Sequence, residues 1–176
     1  MNNLIISAVG SDRPGIVSEI SGIITSHGGN VEESHMTRLG ADFTIIMLVQ
    51  VDSKWEESLV VALQAIQELS FITKSTQSHT VITGENCQIY LNGADNEGIV
   101  NVLSNYLAKK SMNILDMETY ISNAPVAGTP LFNLIAITTI PDNTNLTKIQ
   151  SDLILIAKKL GVEITVNQSE NMVETA

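Results

Sequence analysis

Apolar residues along this chain fall into blocks with two different rhythms. Residues 4–9 form a short, mostly apolar run ended by Gly10, the pattern of a buried strand. Ile16, Val17, Ile20, Ile23 and Ile24 then recur at helical spacing, and Gly28-Gly29 closes the stripe. Pro14 is expected at the start of that helix, where a missing N–H costs nothing. Residues 30–38 are mostly polar and predict a strand with one face outside the core. Residues 43–51 are apolar on both faces, as in a covered central strand. Trp55, Leu59, Val60, Leu63, Ile66 and Leu69 mark a second helical stripe, followed by an extended stretch from Phe71.

The same order then repeats. Asp12-Arg13-Pro14-Gly15-Ile16-Val17 has its counterpart in Asp95-Asn96-Glu97-Gly98-Ile99-Val100, an offset of 95 − 12 = 83. Asn30-Val31 matches Asn113-Ile114 at the same spacing, whereas Phe43 matches Phe132 at 89, so the second copy is six residues longer. The extra residues fall around the turn-rich patch 123–128. The second half predicts strands at 87–91, 114–121, 131–140 and 162–166, with helices at 98–110 and 146–160. The order βαββαβ, twice, is the split βαβ of the α+β class. The expectation is two ferredoxin-like domains, each an antiparallel sheet with two helices on one face. They are expected at 1–82 and 86–168, joined through Ile82-Thr83-Gly84-Glu85 and trailed by a flexible tail at 169–176.

Composition narrows the function. The 176 residues carry 9 Lys+Arg against 19 Asp+Glu, a net charge of -10 that argues against direct nucleic-acid contact. The lysine pairs 109–110 and 158–159 fall in the last turns of predicted helices, where cations complement the helix dipole. A hydrophobic share of 44% excludes disorder. No apolar run approaches the roughly 18 residues of a membrane span. With no basic leader at the start, a cytoplasmic protein without membrane contact is expected. The single cysteine, Cys87, excludes a disulfide framework and a cysteine-based zinc site, and reads as a small core residue.

Catalytic signals are weak. His27, His35 and His79 lack metal-ligand spacing and are expected on the surface; Met36, Met47, Met112 and Met117 are expected in the core. Glu32 and Glu33 would point to opposite faces of a strand. No enzyme activity, cofactor or metal is therefore expected. The recurring feature is the turn between the first strand and first helix of each half. Free N–H groups at a helix start receive carboxylates well. Gly15 and Gly98 permit close backbone approach, Asp12 and Asp95 stand where a carboxylate either caps the helix or meets an ammonium group, and Asn30 and Asn113 each offer a donor and an acceptor. Such a set suits a small zwitterion, an amino acid.

Three stretches carry a family resemblance: Ala8-Val9-Gly10-Ser11-Asp12-Arg13-Pro14-Gly15-Ile16-Val17, Gly29-Asn30-Val31-Glu32-Glu33-Ser34, and Leu39-Gly40-Ala41-Asp42-Phe43-Thr44-Ile45-Ile46-Met47-Leu48. They resemble the first ACT domain of the glycine cleavage system transcriptional repressor family, and the second half resembles that family's more divergent second ACT domain. The resemblance implies a non-catalytic regulator that senses a small amino acid, glycine or serine. It implies control of transcription through contact with a DNA-binding activator, in a homodimeric assembly. The resemblance places the amino acid at a domain interface and, carried over residue by residue, the ligand site comprises Gly10, Ser11, Asp12, Arg13, Pro14, Gly15 and Ile16 with Asn30. The second site comprises Gly93, Ala94, Asp95, Asn96, Glu97, Gly98 and Ile99 with Asn113. Asn96-Glu97 replaces Arg13-Pro14 in the second copy, which makes the first the better receptor. The alternatives are a regulatory subunit of an amino-acid metabolic enzyme and a plain dimerisation module.

Overall fold

A computed structural model describes residues 1–77, 85–124, 129–142 and 144–169. The chain divides into two compact units, Met1–Val81 and Ile82–Ala176. The first contains β1 (Asn2–Ser11), α1 (Ile16–Ser26), β2 (Asn30–Leu39), β3 (Asp42–Val51), α2 (Ser53–Gln64) and β4 (Leu69–Thr76). The second contains β5 (Asn86–Ala94), α3 (Ile99–Lys109), β6 (Ile114–Asn123), β7 (Pro130–Thr139), α4 (Leu146–Leu160) and β8 (Val162–Ser169). Each unit holds one four-stranded antiparallel sheet, in the orders β2-β3-β1-β4 and β6-β7-β5-β8. These are the two βαββαβ folds expected from the repeat.

Alternation along β1 explains the layering. Leu4, Ile6 and Ala8 are buried, and they pack with Ile20 and Ile24 of α1 and Leu59 and Leu63 of α2 into one core. Both helices therefore cover the same sheet face. In the second unit Ile89 and Leu91 of β5 join Leu103, Leu107 and Leu153 in the same way. Cys87 belongs to this core, 3.1 Å from the Thr138 hydroxyl, and burial pushes its thiol pKa up.

Several details differ from the sequence reading. β3 is central in its sheet, yet Ile46 on its other face is 47% exposed, so the strand is covered on one side only. Met47 and Met112 are core residues and Met117 packs against the core, but Met36 on the edge strand β2 is exposed. The second helical stripe runs past its helix: α2 ends at Gln64, Ile66 is buried beyond it, and Leu69 opens β4. The edge strands β2 and β6 each carry a bulge, between Val31 and Glu33 and between Ile114 and Asp116. Glu32 is thus an extra residue outside the simple alternation. The hairpin joining β2 to β3 needs only Gly40 and Ala41, whereas Ala124 and Thr129 bond across the longer loop of the second unit. The expected linker residues 82–84, the patch 125–128, His79 and the tail 170–176 lie outside the described residues. Ser169, placed in the tail by the sequence reading, is the last residue of β8 and pairs with Asn86.

Candidate ligand site at the strand–helix loops

The loop after β1 is a tight turn whose residues decide its shape. Gly15 sits at φ 87°, ψ -3°, and the Ile16 N–H reaches the Arg13 carbonyl at 3.4 Å. These are the marks of a type II turn, with proline at its second position and a left-handed residue at its third. Pro14 is therefore a turn residue, and the helix begins two positions later than the proline rule suggested. Gly98 takes the same conformation, φ 83°, ψ 5°, behind Glu97. The glycine, rather than the proline, carries the geometry common to both loops.

The helix starts are unlike those elsewhere in the chain. Asp52 caps α2 by accepting from the Lys54 N–H at 3.1 Å, and Asn145 caps α4 by accepting from the Lys148 N–H at 3.2 Å. The caps of α1 and α3 are glycines, with no side-chain hydrogen bond at either. The capping role open to Asp12 and Asp95 is not the one they play. The Asp12 carboxylate instead lies 3.6 Å from Arg38 Nε, and its backbone N–H donates to the Ala41 carbonyl. The first turns of α1 and α3 thus keep N–H groups that no cap satisfies, facing a helix dipole that favours an anion.

Among the described residues, ion pairs gather around the first loop and not the second. Arg13 donates to the carboxylate of Glu19 in the first turn of α1, and its Nε lies 3.9 Å from Glu68. In the second unit Asn96 takes the place of Arg13 and donates its Nδ2–H to the Leu160 carbonyl at 3.0 Å. Sequence reasoning missed Glu19, Glu68 and Arg38. Glu19 was findable as an acid in a first turn; Glu68 shows its role only when set beside Gly161, which occupies the matching corner.

Gly10 and Gly93 have a packing reason for being glycine. A Cβ on Gly10 would lie 1.9 Å from the Glu68 carbonyl oxygen, and one on Gly93 would lie 2.7 Å from Val162 Cα. Close approach of the neighbouring strand, at the register pairs Gly10–Leu69 and Gly93–Val162, demands them.

Asn30 and Asn113 lie elsewhere. β2 starts where β1 starts, because α1 carries the chain back along the sheet, and Asn30 stands opposite Gln50, which in turn faces Asn3. The loop lies beyond Gly10, seven residues and roughly 23 Å further along the strand. One unit alone does not bring the loop and the asparagine together. Asn30 donates to Glu32 at 2.6 Å, while the Asn113 N–H donates to the Thr139 hydroxyl at 2.9 Å. Among the described residues no group of three or more His, Cys, Asp or Glu is placed to hold a metal, and no helix is long and apolar enough to cross a membrane.

Comparison with known proteins now adds to this geometry. The family model described as the ACT domain matches residues 2–76, the extent of the first sheet and its helices. The first unit matches the ACT-domain family over nearly its whole described length. The second unit repeats the ACT-like ferredoxin fold. The glycine cleavage system transcriptional repressor of Escherichia coli (strain K12) is 50% identical over 46 residues, a stretch covering 26% of this chain and 24% of the repressor. The match therefore spans about a quarter of that relative's length. The crystal structure of an unknown protein from Galdieria sulphuraria is 31% identical, with a TM-score of 0.81, over 96% of this chain and 99% of that one. A further crystal structure, provisionally named a glycine cleavage system transcriptional repressor, is 22% identical with a TM-score of 0.70 over 97% and 98% of the two chains, a likeness of fold.

Proposed function

We propose that this protein is a non-catalytic regulator that senses a small neutral amino acid and acts by contact with another protein. The observation that carries the reading is the pair of uncapped helix starts, each behind a left-handed glycine, where the other two helices among the described residues are capped. Those N–H groups suit the carboxylate of an amino acid, and the nearby Asp12 or Asp95 suits its ammonium group. Similarity to the glycine cleavage system transcriptional repressor supports transcription of glycine or amino-acid metabolism as the process controlled. The net charge of -10 supports an activator protein, rather than DNA, as the contact.

The proposed setting is the cytoplasm and the proposed assembly a homodimer. Asn30 and Asn113 lie too far from the loops of their own units to complete these receptors, so the loop residues are the proposed contacts. Ligand binding shifts the partner equilibrium only by its differential affinity for two states of the regulator. Calorimetric titration with glycine and serine tests the reading. Millimolar or tighter binding supports it; absence of heat and of competition for both ligands overturns it. Copurification of a metabolic enzyme in place of a transcription factor would favour the role of an enzyme's regulatory subunit.

A further inference from the structure

We infer that Glu19 is an internal competitor for the Arg13 guanidinium, so that the loop of the first unit is closed by a charge clasp which a ligand carboxylate has to open. This inference rests on the amino-acid reading above and specifies which ligands the loop accepts. Arg13 presents five N–H donors in a planar fork, a shape that matches a carboxylate. One Nη of that fork donates to Glu19, and Glu68 lies 3.9 Å from its Nε.

The second unit serves as an internal control. The positions matching Arg13 and Glu19 are Asn96 and Val102, each 83 residues on, and Gly161 precedes β8 as Glu68 precedes β4. All three charged groups are replaced together. There the tie between loop and helix–strand corner is one neutral hydrogen bond, from Asn96 to the Leu160 carbonyl. A neutral bond thus serves there where the first unit uses a guanidinium and two carboxylates. Glu68 holds a left-handed φ of 70° at this corner, and its carboxylate lies beside Arg13.

The clasp is built to exchange. Arg13 and Glu19 side chains are 35% and 41% exposed, and a pair so open to water changes an equilibrium by only about two- to fivefold. Glu19 lies in the first turn of α1, next to the uncapped N–H groups, where a ligand carboxylate would also come to rest. The ion pairs at the loop join Asp12, Glu19 and Glu68 to Arg13 and Arg38, one negative charge in excess. A neutral zwitterion can replace Glu19 on Arg13 without adding charge, whereas aspartate or glutamate brings a further one. The loop therefore selects small neutral amino acids and holds them weakly.

Titration of the full chain with glycine, by calorimetry, tests this. Glu19→Gln is expected to bind glycine about two- to fivefold more tightly than wild type and to discriminate less against aspartate. Glu57→Gln, an equal change of charge on the exposed face of α2, is expected to leave binding unchanged. Trp55 fluorescence reports that each variant keeps its first unit folded. Wild-type binding that Glu19→Gln leaves equal or weakens overturns the clasp and leaves the amino-acid receptor standing. Equal tightening by Glu57→Gln reduces the effect to bulk charge and likewise overturns it. No glycine binding by any of the three proteins overturns the receptor reading, and the clasp with it.

Discussion

The two units solve the same geometric problems with different residues. Each needs a left-handed residue after its first helix and another before its last strand. The first unit places Gly28 (φ 69°) and Glu68 (φ 70°) there, and the second places Ser111 (φ 56°) and Gly161 (φ 69°). Each unit spends glycine at one of the two positions and bears a side chain at the other. The seam between paired helices diverges as well. His27 meets the edge of Trp55 at 6.5 Å in the first unit. Lys110, the matching position in the second, lies 3.2 Å from Asp152, which also accepts from the Tyr106 hydroxyl at 3.2 Å. The loop tie is ionic in one unit and neutral in the other. The fold dictates a backbone conformation and a contact at each place, and leaves the residue type open.

That comparison can be broken most forcefully at the close strand contacts. Gly10→Ala drives a methyl group into the Glu68 carbonyl, with no flexible side chain to yield, and is expected to cost about 3 kcal/mol. Gly93→Ala meets Val162 and is expected to cost about 2 kcal/mol. Urea unfolding followed by Trp55, the single tryptophan, reads the first unit directly. An unchanged midpoint for Gly10→Ala would show that β4 can move away from β1.

Exchanging the left-handed residues gives a smaller effect with a definite sign. Glu68→Gly and Ser111→Gly are each expected to stabilise their own unit by about 0.5–1 kcal/mol, because strain at positive φ is relieved in part against the entropy of glycine. Gly161→Ala is expected to destabilise the second unit by a similar amount. Chemical denaturation of the three variants checks the signs; destabilisation by Ser111→Gly would contradict the account.

The helix seam yields a pH signature confined to the second unit. Burial, then the negative charge and hydrogen bond of Asp152, pushes the Tyr106 phenol up to about 12. Its folded pKa exceeds the unfolded value of about 10, so its contribution is full below pH 10 and fades as pH rises toward 12. Asp152 is shifted the opposite way. The Lys110 hydrogen bond, and then that of Tyr106, hold its carboxyl below the usual range against partial desolvation, so its contribution is present above about pH 4 and fades on acidification. Ultraviolet titration should show a late-ionising tyrosine in wild type that Tyr106→Phe removes. A late tyrosine surviving in that variant would assign the shift elsewhere.

Much of this architecture was legible because periodicity and repetition are local signals. The βαββαβ order, the antiparallel sheets and the placement of most helices follow from apolar spacing at 3.6 and 2 residues. Boundaries failed where one apolar series crossed from helix into turn and strand, as at Ile66 and Leu69. Within the site, the loop glycines and Asp12 were readable from the repeated motif. The separation of Asn30 from that loop was not, since it follows from the direction in which α1 returns the chain. Pro14 misled because one residue type serves both helix starts and type II turns, and only the glycine behind it decides between them. The Arg13–Glu68 contact joins residues 55 positions apart, beyond the reach of any local pattern.

The receptor claim is tested most directly by following backbone amide resonances of the full chain during a glycine titration. The account predicts saturable shifts at Gly15, Ile16, Val17 and Ser18 at millimolar glycine, with weaker or no shifts at Gly98 and Ile99. Saturable shifts confined to other residues, or none at any of these amides, would contradict it.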